Sequence, residues 1–165
     1  MKKIIFGIII LGLLASCNKS KKIYDLKEFC DYTIACYKND NKSEAIGLRI
    51  KKDELMSLIS SMKMPETNKK YELEATENRN KDGYFDITRL EKTYSEFRAN
   101  QENDFWKKCL IEEYDYMQTE DFFGYETAEP IVTLKYDNKI VRLKIGELIK
   151  TEMGWKILGG GPNWK

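Results

Sequence analysis

Histidine is absent from the 165 residues, proline occurs three times, and 28 basic side chains are balanced by 27 acidic ones. Without imidazole the chain cannot run Ser-His-Asp or Cys-His nucleophilic catalysis, nor hold zinc through histidine. A formal charge of +1, with both signs mixed along the chain, offers no field for nucleic acid, and no such partner is expected. The Gly159-Gly160-Gly161-Pro162 run lacks the lysine-serine pair and following helix of a phosphate loop. No cofactor is expected. What remains is the composition of one small globular domain, 42% hydrophobic and 33% charged.

The start of the chain differs from the rest. Lys2 and Lys3 precede an apolar run from Ile4 to Leu14, which is too short for a permanent membrane span and of the length found in a signal-peptide core. Small residues Ala15 and Ser16 lead into Cys17. The LLASC sequence ending at Cys17 resembles the lipobox of bacterial lipoproteins. That resemblance implies a signal peptide over 1–16, lipid attachment at Cys17, and a lipidated tether over 17–22 before a single domain at 23–165. It also implies an anchored protein of the cell envelope. Two or three acyl chains hold firmly, since each buried methylene contributes about 0.8 kcal/mol. Asn18 stands where inner-membrane lipoproteins often carry aspartate, so the family analogy points to the outer membrane.

Lipidation of Cys17 leaves Cys30, Cys36 and Cys109, an odd number for a compartment that permits disulfides. Six residues of helix separate Cys30 from Cys36 by ~9 Å of rise, beyond the ~6.8 Å that a disulfide spans. Cys109 pairing with either stays open, and buried thiols are the alternative.

The domain reads as helices first and strands last. Ile23, Leu26, Cys30, Thr33 and Tyr37 form one helical stripe, and Asn39 to Ser43 a polar break. Leu55, Leu58, Ile59 and Met62 form a second stripe that Pro65 bounds. A third helix is expected from Thr88, where TRLE has the form of a capping box, through Leu90, Tyr94 and Phe97. From Cys109 the period changes to two, giving strands at 110–117, 130–136, 139–150 and 155–158 with a hairpin at Asp137-Asn138. Val141, Leu143, Ile145 and Ile149 would share the buried face of the third strand. The eleven residues 118–128 read as a long loop, and the chain after Gly161 as a flexible tail. The expected class is α+β, with N-terminal helices on a C-terminal four-stranded antiparallel meander. That order of elements resembles the cystatin-like cone of the nuclear-transport-factor-two-like superfamily, which implies a curved sheet around the helices and a pocket at its open end.

Three constellations are candidate sites. Asn78, Asn80, Asp82, Gly83 and Asp86 align with a calcium loop, but Arg89 occupies the position of the bidentate glutamate. A turn on Asp82-Gly83 joining strands at 71–76 and 84–87 is the expectation, with no metal. On the first late strand, alternation places Glu113 and Asp115 on one side and Glu112, Tyr114 and Tyr116 on the other. A carboxylate beside a tyrosine suits an isomerase or hydrolase, as in ketosteroid-isomerase-type members of that superfamily. Phe122, Phe123 and Tyr125 cluster in the long loop and are the expected ligand- or partner-binding residues. The leading expectation is non-catalytic binding of a small apolar ligand or an envelope protein. The alternatives are the pocket enzyme and an immunity or inhibitor lipoprotein that presents Glu120, Asp121 and Glu126.

Replacing Cys17 by alanine is expected to abolish fatty-acid labelling and signal-peptide cleavage. Undiminished labelling of that variant would remove the lipoprotein assignment.

Overall fold

A computed structural model describes residues 21–102 and 104–165, so the lipobox and most of the tether lie outside the described residues. Among the described residues six helices come first: α1 (Leu26–Lys38), α2 (Lys42–Gly47), α3 (Lys52–Ser61), α4 (Glu66–Lys81), α5 (Ile87–Ala99) and α6 (Phe105–Lys108). Eight strands follow: β1 (Leu110–Asp115), β2 (Glu120–Phe122), β3 (Tyr125–Ala128), β4 (Ile131–Tyr136), β5 (Lys139–Lys144), β6 (Glu147–Thr151), β7 (Gly154–Gly159) and β8 (Asn163–Trp164). They form two antiparallel sheets, ordered β1-β4-β5-β8 and β2-β3-β6-β7.

The fold is α+β, but the single four-stranded meander is replaced by two sheets. The expected third strand divides at Gly146, whose φ of 143° is open to few residues other than glycine. A Cβ there would also meet the Gly159 carbonyl and Ile157 Cγ2 at 3.2 Å. Before this corner the chain runs in the first sheet as β5, and after it in the second as β6. The opposite crossing, from β3 to β4, passes through Glu129-Pro130, and the Ile145 amide donates to the Pro130 carbonyl at 3.0 Å. Both crossings are thereby tied together.

The corner changes which side chains share a face. Val141, Leu143 and Ile145 pack in a main core with Phe29, Cys30 and Ile34 of α1, while Ile149 enters a second core with Leu55, Leu58, Ile59 and Met62. Leu148, next to Ile149, turns to the main core. Strand β6 is therefore covered on both sides, as alternation requires when both faces of a sheet are packed. The same covering explains a buried lysine on β7. Lys156 pairs with Ile149 and is only 4% exposed, with Nζ donating to the Gly47 carbonyl at 3.3 Å.

Several local expectations change for physical reasons. Ile23 is not helical. It bridges Gly154 in parallel, and α1 starts after Asp25, whose carboxylate accepts from the Glu28 amide at 2.7 Å. Asn41 within the polar break caps a short α2. The capping residue of α5 is Asp86 rather than Thr88, accepting from the Arg89 amide at 2.8 Å. The strands expected at 71–76 and 84–87 do not form. The first stretch lies in α4, which is rich in Glu and Lys, both good helix formers, and Leu73 packs its inner side on the second core. The Asp82-Gly83 turn is present but joins two helices, with Gly83 at φ 75°. Asn78 and Asn80 are helical, Asp86 is committed to its cap, and the Arg89 guanidinium donates to the Asp82 carbonyl.

Two segments expected to be irregular are ordered. Residues 118–128 contain the β2–β3 hairpin, and the tail pairs with β5 through Trp164 opposite Leu143. The Trp164 ring stacks on Phe97 at 5.0 Å, joining an aromatic cluster in which Tyr37 stacks on Tyr94 and Trp106.

The free edge of β7 is closed by two other segments. The Trp155 amide donates to the Ile23 carbonyl at 2.7 Å, the Ile157 amide to Leu48 and the Ile50 amide to Ile157. The approach at Ile23 depends on Gly154, which has φ 90° and whose Cβ would lie 2.4 Å from the Ile23 carbonyl oxygen. Gly154→Ala is expected to destabilise the domain by about 1–3 kcal/mol. Urea unfolding checks this, and an unchanged midpoint would show that the contact at Ile23 contributes nothing.

Candidate functional site

The β2–β3 hairpin turns through Phe123 and Gly124, at φ 52° and 91°. Two successive positive values match the twist of a tight hairpin, but they put a bulky residue in a conformation that usually belongs to Asn or Gly. The surroundings hold it there. The Phe123 carbonyl accepts from the Lys63 amide at 3.0 Å, the Asp121 carboxylate accepts from the Gly124 amide at 3.2 Å, and the Phe123 ring packs on the second core. Such backbone strain persists only where neighbours over-determine it, and it concentrates at functional positions.

The anchored turn faces the first half of α4. Between them lies a groove of about 240 Å³ lined by Met64, Asn68, Tyr71, Glu72, Phe122 and Phe123. Met64 is buried, whereas Phe122 is 44% and Tyr71 69% exposed. The rings of Phe122 and Phe123 meet edge to face at 4.8 Å. The arrangement is an apolar trough with an amide and a carboxylate on one wall, wide enough for a small ligand or one side chain of a partner.

Of the three aromatic residues singled out in the sequence, Phe122 and Phe123 line this groove and Tyr125 does not. Tyr125 packs against the second core, and its hydroxyl shares a 2.7 Å hydrogen bond with Ser61 Oγ, fastening the hairpin to α3. Met64, Asn68, Tyr71 and Glu72 escape sequence reasoning because Tyr71, Leu73 and Ala75 alternate like a strand. Read as a helix, the same stretch sets Asn68, Tyr71 and Glu72 on one side through the i, i+3, i+4 spacing.

The carboxylate–tyrosine set of β1 is arranged differently from the expected alternation. A bulge between Ile111 and Glu113 lets Glu112 and Glu113 both face solvent, while Ile111 and Tyr114 pack inward. Glu112 pairs with Lys135 at 3.6 Å and Asp115 with Arg142 at 3.0 Å. The Tyr114 hydroxyl donates to Asp31, and the Lys27 ammonium sits 4.4 Å from its ring centre. Burial and the Asp31 hydrogen bond both raise the Tyr114 pKa, which suits a structural phenol better than an acid catalyst. None of these side chains lines the groove or the second, smaller cavity. That cavity, about 50 Å³ between α1, α5 and Gly161-Pro162, has room for a water molecule or two.

Of the acidic set proposed for an inhibitor, Glu120 and Asp121 are exposed on β2, and Glu126 is paired with Lys150. Among the described residues no three histidine, cysteine, aspartate or glutamate side chains are grouped to hold a metal ion. Comparison with protein-family models, curated proteins and solved structures finds no match to the chain.

Among the described residues the thiols of Cys30, Cys36 and Cys109 are free and buried. Burial pushes Cys30 and Cys36 up to about 12 and raises Cys109 as well, the reverse of what a nucleophilic thiolate needs. Groups raised above their unfolded values add stability that is complete below about pH 9 and is lost as the pH climbs toward 12. Cys30, Cys36 and Cys109 are expected to resist iodoacetamide at pH 9 in the folded protein and to react once it is unfolded. Mass spectrometry counts the adducts, and rapid labelling of Cys30 in the folded state would contradict its burial.

Proposed function

We propose that this chain is a lipid-anchored protein of the bacterial envelope, placed at the outer membrane, whose single domain binds a small apolar ligand without catalysis in the groove between α4 and the β2–β3 turn. The groove is the observation that carries the reading. Its walls combine exposed aromatic surface with few polar groups, the composition of ligand sites in general. Water contact with Phe122 and Tyr71 is unfavourable, and a ligand that covers them gains what burial elsewhere gains. The lipobox resemblance supplies the anchor, and the docking of Ile23 on β7 is compatible with a short tether leaving the domain at that edge. The cystatin-like cone belongs to the same proposal as the family setting in which helices and a sheet hold ligands. The ion pairs and hydrogen bonds that occupy Asp115 and Tyr114 favour binding over the isomerase or hydrolase alternative.

The test separates binding from stability on the same proteins. With 13C-methyl-methionine labelling of the full chain, the Met64 methyl resonance is expected to shift saturably on titration with pentan-1-ol. Phe122→Ala should weaken that binding about three- to tenfold with the melting temperature almost unchanged, because the ring is partly exposed. Phe123→Ala should lower the melting temperature as well, since that ring also packs on the second core. Glu113→Gln and Asp115→Asn should leave the affinity intact. Equal affinity in Phe122→Ala and the unsubstituted chain would sink the groove as the site, and substrate turnover lost in Glu113→Gln would replace binding with catalysis.

A further inference from the structure

The groove carries a charge pattern that narrows its ligand. Glu72 lines it and is half-buried, yet no cation lies within ion-pair distance of its carboxylate among the described residues. Of the other acids of the same helix, Glu66 pairs with Lys69 and Glu77 with Lys52, both at 2.9 Å, while Glu74 is in no ion pair but is exposed to solvent away from the groove lining. On the β2–β3 hairpin, beside the groove but outside its lining, Glu120 and Asp121 are likewise in no ion pair, and the Asp121 carboxylate accepts from the Gly124 amide. Lys63, on the connection between α3 and α4, lies along Gly124 with its aliphatic carbons 3.4 to 3.7 Å from where a Cβ would be, and forms no ion pair with these acids. The trough therefore combines an apolar floor, three aromatic rings and an uncompensated carboxylate. Aromatic faces attract cations through their quadrupole, and a partly desolvated carboxylate does so through its charge. An anionic ligand would be repelled, and a wholly neutral one would leave Glu72 without a partner.

We infer that the groove selects a primary alkylammonium ligand, a small free amine whose hydrocarbon stem lies on Met64 and Phe123 between Tyr71 and Phe122, and whose ammonium reaches Glu72 with Asn68 beside it. This deepens the proposed function and rests on the groove being its binding site. The volume sets the scale of the stem. About 240 Å³ corresponds to roughly eight water volumes, enough for a chain of about five carbons. Binding involves no covalent step.

The experiment compares pentylamine, pentan-1-ol and Nα-acetyl-lysine methylamide, each titrated into the full chain at neutral pH and followed by the Met64 methyl resonance. Met64 is one of six methionines, and Met64→Leu identifies its signal. Pentylamine is expected to bind about tenfold more tightly than pentan-1-ol, the combined scale of a partly exposed ion pair and a cation–π contact. Glu72→Gln should bring the amine to within about twofold of the alcohol, with the melting temperature unchanged because Glu72 is in no ion pair among the described residues. Raising salt should weaken the amine alone. Equal affinities for amine and alcohol in the unsubstituted chain would overturn the inference and leave the apolar groove standing. Absence of a saturable shift with either would overturn the groove itself. Binding of the lysine diamide with no binding of pentylamine would overturn the assignment to a free amine and identify a partner's lysine side chain instead.

Discussion

Strand β6 is apolar on both faces at once, and the rest of the molecule is arranged around satisfying it. Leu148 and Ile149 are adjacent, so the pleat sends them to opposite sides, and both are excluded from water. Burying each contributes about 1.5–3 kcal/mol, provided that something apolar covers each side. On one side that is α1 with the first sheet, and on the other α3 with Met62 and Met64. A single meander on a layer of helices would leave one of these faces wet. Two cores separated by the second sheet follow from that demand, and α3 and α4 occupy the place they do because Ile149 needs a cover.

Close backbone approaches allow the chain to serve both cores. Gly146 makes the corner at which β5 of one sheet becomes β6 of the other, and the bond from Ile145 to Pro130 fixes the return crossing beside it. Gly154 admits Ile23 against the edge of β7, while Leu48 and Ile50 close the remainder. An open edge would be a template for association with other chains, and here it is sealed by segments of the same chain. Were the chain anchored as proposed, tension on its tether would act first on the Ile23–Gly154 contact and only afterwards on the core.

The groove is a by-product of the same architecture. Once α3 and the connection at Lys63 cover Ile149, the β2–β3 hairpin is fastened to them by Tyr125, Ser61 and the Phe123 carbonyl. The hairpin's tip then stands opposite α4, a helix whose described side chains are mostly solvated, with Thr76 its only fully buried one. Two elements held apart by their attachments leave a trough between them, and its aromatic lining includes the exposed rings of Tyr71 and Phe122. Phe123 spans the two roles, with its ring toward the core and its backbone strained at the turn. That coupling fixes the hairpin wall of the groove to the connection at Lys63 and to the second core.

The sequence by itself determined the class of fold, helices first and strands after, because periodicities of 3.6 and 2 are local properties of the chain. It located the α1 and α3 stripes at Cys30, Thr33, Leu55 and Leu58, the hairpin at Asp137-Asn138, and the aromatic pair Phe122 and Phe123. It also isolated the LLASC segment, which is a matter of local composition. Tertiary structure decided what depends on distant neighbours. Alternation in Tyr71, Leu73 and Ala75 looks like a strand until helix propensity and the cover for Leu73 on the second core prevail. A continuous strand over 139–150 looks the same in sequence as two strands meeting at a glycine corner, because only the partners across each sheet distinguish them. Glu72 joins Phe122 through the packing of a helix onto a hairpin some fifty residues later in the chain, and no local pattern encodes such a meeting.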